Sequence, residues 1–181
     1  MSLVDFDEVH ALSELYAGRL VDDATVTEAE DEVEDLLLMA WALGEEEFYD
    51  MTGERAMFDS GYVRSVLDDD IAGKTYRDRI REYVGEGDTE AIIRVLDTEF
   101  HRIFEEAKYD SARRVDANVG KRWSTMLDDR VRDTHDYLEG VVVPLEAKFY
   151  TYDGDSALYP GGFSTAENNV NCRCVLEYVK L

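Results

Sequence analysis

The stretch DTEAIIRVLDTEFHRIFEEAKYDSARRVDA, residues 88 to 117, constrains the fold most. Ile92, Leu96, Phe100, Ile103 and Ala107 recur every three or four residues, which puts them on one face of an α-helix. Asp88 or Thr89 offers the side-chain oxygen that starts such a helix. An amphipathic helix draws most of its stability from packing that apolar stripe, so the remaining chain has to cover it. Two further helical patterns precede it. VTEAEDEVEDLLLMAWALGEEEFYDM carries Val33, Leu36, Leu37, Ala40 and Trp41 at helical spacing, with Thr27 as N-cap candidate and Glu30 completing a capping box. KTYRDRIREYV, residues 74 to 84, aligns Tyr76, Ile80 and Val84 before the breaker GEGD.

From about residue 119 the texture changes. VGKRWSTML reads as a strand or a short helix. DDRVRDTHDYLEG reads as one short helix, starting at Asp128 or Asp129 and stopped by Gly140. VVVPLEAKFY is rich in β-branched and aromatic residues, YDGDSALYPGG in turn formers, and NCRCVLEYVKL alternates as a strand does. The fold class predicted is α+β: a helical region over residues 1–110, followed by a small unit with antiparallel strands over 111–181 that packs on the helix at 89–109.

Charge limits the partners. The 42 acidic residues outnumber the 19 basic ones, giving a formal net charge of -23, which repels phosphate; no direct nucleic-acid site is expected. Of the basic residues 14 are Arg and 5 Lys. A lysine-poor acidic surface keeps a protein hydrated in molar salt, where the screening length falls to about 3 Å, so a halophilic source is one reading and an acidic mesophilic protein the other. Acids in MSLVDFDEVH argue against an export signal, and the mature chain is expected to begin near Met1. The longest apolar run, LLLMAWAL, is far short of the roughly 20 residues that span a bilayer.

Chemistry-bearing residues are few. In an extended segment over 171–179, Cys172, Cys174, Leu176 and Tyr178 face one way and Arg173 the other. Cysteines two apart on a strand are poorly placed for a disulfide, so free thiols packed as small hydrophobes are expected. Zinc is the sharper alternative, with His135 as third ligand, although C-x-C is not the usual C-x-x-C and only His101 or an aspartate suggests a fourth. His135 stands among Arg130, Arg132, Asp133 and Asp136, a setting suited to acid–base work or to a simple structural corner. No nucleophile motif, phosphate loop or calcium loop is present, and neither catalytic residues nor a resident cofactor are assigned.

The order of DTEFHR, GKRWSTMLDDRVRDTHDYLEG, VVVPLEAKF, YPGG and NVNCRC resembles the phage Mu F-like, or phage head morphogenesis, family of minor head proteins. Thr98, Glu99 and Arg102 fit that family's T-E-x-x-R helix, and Lys121 and Trp123 its K-x-W segment. Asp128, Arg130, Arg132, His135, Leu138 and Gly140 fit its D-x-R-x-R-x-x-H-x-x-L-x-G block; Pro160, Gly161, Cys172, Arg173 and Cys174 complete the set. The resemblance implies a virion component present in few copies, found in the host cytoplasm during assembly. It implies a place in the head of a tailed virus near the portal, with portal or major capsid protein as partner and an influence on DNA packaging or ejection. Relatives often carry a longer N-terminal region, which leaves the portal contact of this chain open. Two rival readings remain: an ADP-ribosyltransferase-like or toxin-type enzyme using Glu99, Arg130 and His135, and a zinc-stabilised binding module.

Overall fold

The computed structural model describes residues 5–22, 25–70, 73–115 and 118–180. Met1 to Val4, on which the reading of the chain's start partly rests, and Asp116 and Ala117 of the long helical pattern lie outside them. The described order is α1 (Phe6–Asp22), α2 (Val26–Thr52), α3 (Ser60–Leu67), α4 (Tyr76–Glu86), α5 (Thr89–Arg114), β1 (Val119–Ser124), α6 (Asp133–Asp136), β2 (Val142–Pro144), β3 (Phe149–Tyr150), β4 (Ser156–Ala157), α7 (Ala166–Asn169) and β5 (Val175–Lys180). This is an α+β fold: helices first, then a three-stranded antiparallel sheet in the order β2-β1-β5 with a β3-β4 hairpin beside it.

Each long helix begins where a side chain satisfies its free backbone donors. Thr25 caps α2: its hydroxyl accepts from Glu28 N while the Glu28 carboxylate accepts from Thr25 N at 2.8 Å. The cap is thus two residues earlier than the Thr27–Glu30 pair the sequence indicates. Glu30 is instead buried and accepts from Arg81 of α4, a tertiary bond that spacing along one helix cannot reveal. Thr75 and Asp78 form a second capping box on α4, and Asp88 caps α5 by accepting from Ala91 N at 3.0 Å.

The apolar stripe of α5 enters a cluster with Leu20 of α1, Leu37 and Trp41 of α2, Val63 of α3 and Ile80 of α4. Helices α2 and α5 come close at Gly44, where an added Cβ would lie 2.3 Å from the Phe104 carbonyl oxygen and 2.8 Å from Ala107 Cβ. A second cluster gathers Tyr109 at the end of α5 with Trp123, Leu138, Phe149, Phe163, Cys172, Cys174 and Leu176. The sheet holds it in register, with Trp123 opposite Leu176 and Lys121 opposite Tyr178.

Two expectations in this half need correction. The segment 128–140 is not one helix: only Asp133–Asp136 is helical, and its N-cap, Arg132, makes no side-chain capping bond. Asp128 starts only a turn: its carboxylate accepts from Arg130 N at 3.1 Å as well as from the guanidinium of Arg173, and no helix follows before Asp133. The terminal strand begins at Val175 rather than 171, because Asn171 turns the backbone to φ 57° and Cys172 N donates to Asn169 O in a turn. Cys172, Cys174 and Leu176 nonetheless share one apolar cluster, joined by the partly buried Tyr178.

Gly44→Val should force α2 and α5 apart and lower stability in urea unfolding by about 1–3 kcal/mol. Gly85→Ala, in open space on α4, should be neutral or stabilise by about 0.5–1 kcal/mol. Equal effects would mean the helices do not meet at Gly44.

Candidate metal centre

His135, Cys172 and Cys174 converge. Short α6 presents the imidazole, and both sulfur atoms lie 3.6 Å from its Nδ1. All three side chains are buried, and their ligand-type atoms sit within 4.8 Å of one another. Aromatic rings fix the imidazole: Phe163 stacks on it at 5.1 Å, Trp123 meets it edge-on at 5.4 Å, and Trp123 rests in turn on Phe149. The thiols divide their affinity for protons. Hydrogen bonding from Cys174, with help from His135, holds the Cys172 thiol well below its usual range, while bonding to that thiolate, and burial, push Cys174 up.

Arginines hold the surrounding chain. Arg132 donates to the carbonyls of Glu167 and Val170, fastening α7 and the turn before Cys172. Arg173 makes a two-pronged bond to Asp128 at 2.9 and 2.7 Å, and this pairing holds the Asp128 carboxyl at about 2. Arg130, largely exposed, reaches the same carboxylate at 3.5 Å. Gly140, at φ 73°, donates to Trp123 O and so joins α6 to β1; Leu138 beside it is buried.

The centre is seated on α5. Nε2 of His101 donates to the carbonyl of Cys174 at 2.8 Å, and Leu176 N donates to the Glu105 carboxylate at 2.8 Å. The buried turn at Pro160 and Gly161 lies on the same helix: a Cβ on Gly161, which has φ 86°, would stand 3.0 Å from Arg102 Cα. Glu99 accepts from Arg102 Nε at 2.8 Å and from Arg79; Arg102 reaches on to Glu106 at 2.9 Å. Thr98, Glu99, Arg102 and Gly161 line one cavity of about 240 Å³. Arg130 and His135 border another, so the trio Glu99, Arg130 and His135 is not assembled around one space.

Lys121 is fully buried, its ammonium donating to Leu158 O at 2.6 Å and lying 4.6 Å from the centre of the Tyr109 ring. The residues that sequence reasoning missed are mostly polar and inward-facing: Glu105 and Lys108 on α5, Asn169 bonded to Phe163 at both backbone groups, and Asp155 gathering Ser164 and Thr165. Residues 101, 105 and 108 share one helix face, but spacing alone does not tell a buried polar face from a solvated one.

Helices thus lead into a small α+β unit that holds the His-Cys-Cys cluster. Residues 63–177 match the family described as Phage Mu protein F like protein, and the chain belongs to that family. It is 34% identical over 109 residues, 56% of this chain, to the NAD(+)–arginine ADP-ribosyltransferase EFV of Enterococcus faecalis, and 34% identical over 84 residues, 45% of this chain, to minor head protein GP7 of Bacillus phage SPP1. The matched segments span only 22% and 27% of those proteins. No solved structure matches it significantly.

Burial brings the Lys121 pKa down from 10.5 to about 7. Between those values the unfolded chain binds a proton that the folded chain does not, so this group makes stability rise as pH increases through the window. Unfolding titrations of the parent and Lys121→Met should diverge accordingly: the parent gains on the variant from about pH 7 upward. Parallel pH profiles would show that Lys121 stays charged when folded.

Proposed function

We propose that the protein is a structural component of a tailed phage head, acting in head morphogenesis at or near the portal. The observation that carries the reading is membership of the Phage Mu protein F like family over residues 63–177, together with similarity to a minor head protein. The chemistry agrees with it. Glu99 is engaged by two arginines and His135 by two thiols, an arrangement that builds a rigid unit. Portal or major capsid protein is the partner, met through the helical part, and copies per virion are few. The net charge of -23 favours protein contacts over grasping DNA, and the lysine-poor surface suits assembly at high salt. No helix among the described residues is long and apolar enough to cross a membrane.

The enzyme reading draws its support from the similarity to the ADP-ribosyltransferase, which covers 22% of that protein. Two measurements separate the readings. Quantitative mass spectrometry and cryo-electron microscopy of purified virions should find the protein in a few copies beside the portal, and the isolated protein should release no nicotinamide from NAD. Absence from virions, or NAD turnover abolished by His135→Ala, would contradict the assembly role.

A further inference from the structure

We infer that His135, Cys172 and Cys174 bind a soft divalent cation, zinc by chemical preference, through Nδ1 and the two sulfurs. This inference is independent of the assembly role. Geometry supports it first. Zinc–sulfur bonds of about 2.3 Å and zinc–nitrogen bonds of about 2.0 Å at tetrahedral angles separate a ligand sulfur from a ligand nitrogen by about 3.5 Å. Both sulfurs stand 3.6 Å from Nδ1.

Valence supports it next. A ring nitrogen has either one proton to give or one lone pair to offer, so Nδ1 can hydrogen-bond well to only one sulfur. Two sulfurs at the same distance from one nitrogen are better explained by a shared central atom. The space also fits: a cavity of about 10 Å³, room for one ion or water, is bordered by all three ligands and by Arg130, Arg132 and Arg173. Arg132 is bonded to backbone carbonyls and Arg173 to Asp128, and two thiolates supply the negative charge that a cation beside these arginines needs.

The remaining chemistry narrows the ion and its shell. Thiolate and imidazole donors favour zinc over magnesium or calcium. His101 lies outside the cluster of ligand atoms, its Nε2 committed to the Cys174 carbonyl, so the described residues supply three ligands and leave the fourth position to solvent. His135 Nε2 then carries the ring proton. Among the described residues it has no hydrogen-bond acceptor, unlike most zinc-bound histidines; the rings of Trp123 and Phe163 orient the imidazole instead. Binding forms two zinc–sulfur bonds and one zinc–nitrogen bond; both sulfurs bind as thiolates, so any proton still held on Cys172 or Cys174 leaves to solvent.

The test uses the full chain, purified without added metal. Elemental analysis should find about one zinc per chain. Replacement by Co(II) should produce a thiolate-to-cobalt charge-transfer absorption that weakens in Cys172→Ala and Cys174→Ala and shifts in His135→Ala, and chelation should lower the melting temperature. Circular dichroism checks that each variant folds; should one fail, the Co(II) titration of the parent chain still decides. Zinc-free protein whose Co(II) spectrum lacks the charge-transfer band would overturn the inference. Thiols that react only after reduction would also overturn it, in favour of a disulfide.

Discussion

The carboxylate of Glu105 is fully buried and accepts the backbone N–H of Leu176 on β5 at one oxygen and the Lys108 ammonium at the other. Lys108 reaches Glu47 of α2 at 3.0 Å. Burial pushes the Glu105 pKa up, because a carboxylate removed from water needs every partner it can find. Removing one member would strand the others, and the bonds run from α2 through α5 to β5. The polar face of α5 is consequently as buried as its apolar stripe. One face belongs to the helices; the other, through His101, Arg102 and Glu105, receives the Cys174 carbonyl, the Gly161 turn and the Leu176 amide.

That second face explains what was legible in the sequence and what was not. The stripe from Ile92 to Ala107 was readable because apolar periodicity reports burial directly. Buried His101, Arg102, Glu105 and Lys108 look like ordinary solvated helix surface until the chain that covers them is known, since burial of a charge is set by its partners. Caps were displaced for a related reason: Glu30 is an equally good capping residue in sequence, but Arg81 claims it. The alternation in NCRCVLEYVKL correctly grouped Cys172, Cys174 and Leu176, yet Asn171 and a turn delay the strand to Val175. In 128–140 the Asp128 signal is a real one for a turn, since its carboxylate accepts from Arg130 N, but the same group is shared with Arg173 and the chain is helical only over Asp133–Asp136.

The residues that carry the family resemblance acquire physical roles in this arrangement. Trp123 is a wall of the His-Cys-Cys site, Arg132 and Arg173 brace the turn and the aspartate beside it, and Gly161 allows a backbone to lie against α5. Lys121, on β1, holds the chain at Leu158 by donating to its carbonyl. None of these residues has to contact a substrate to be needed. Together they clamp the C-terminal unit to one helix.

If the Glu105 clamp unites the helices and the sheet, the amide of Leu176 opens only when the whole protein does. Native-state hydrogen exchange measures this directly. The account predicts that the Leu176 amide and the central amides of α5 exchange with the same opening free energy and the same denaturant dependence. Leu176 exchanging through a much smaller opening, while α5 stays protected, would contradict it.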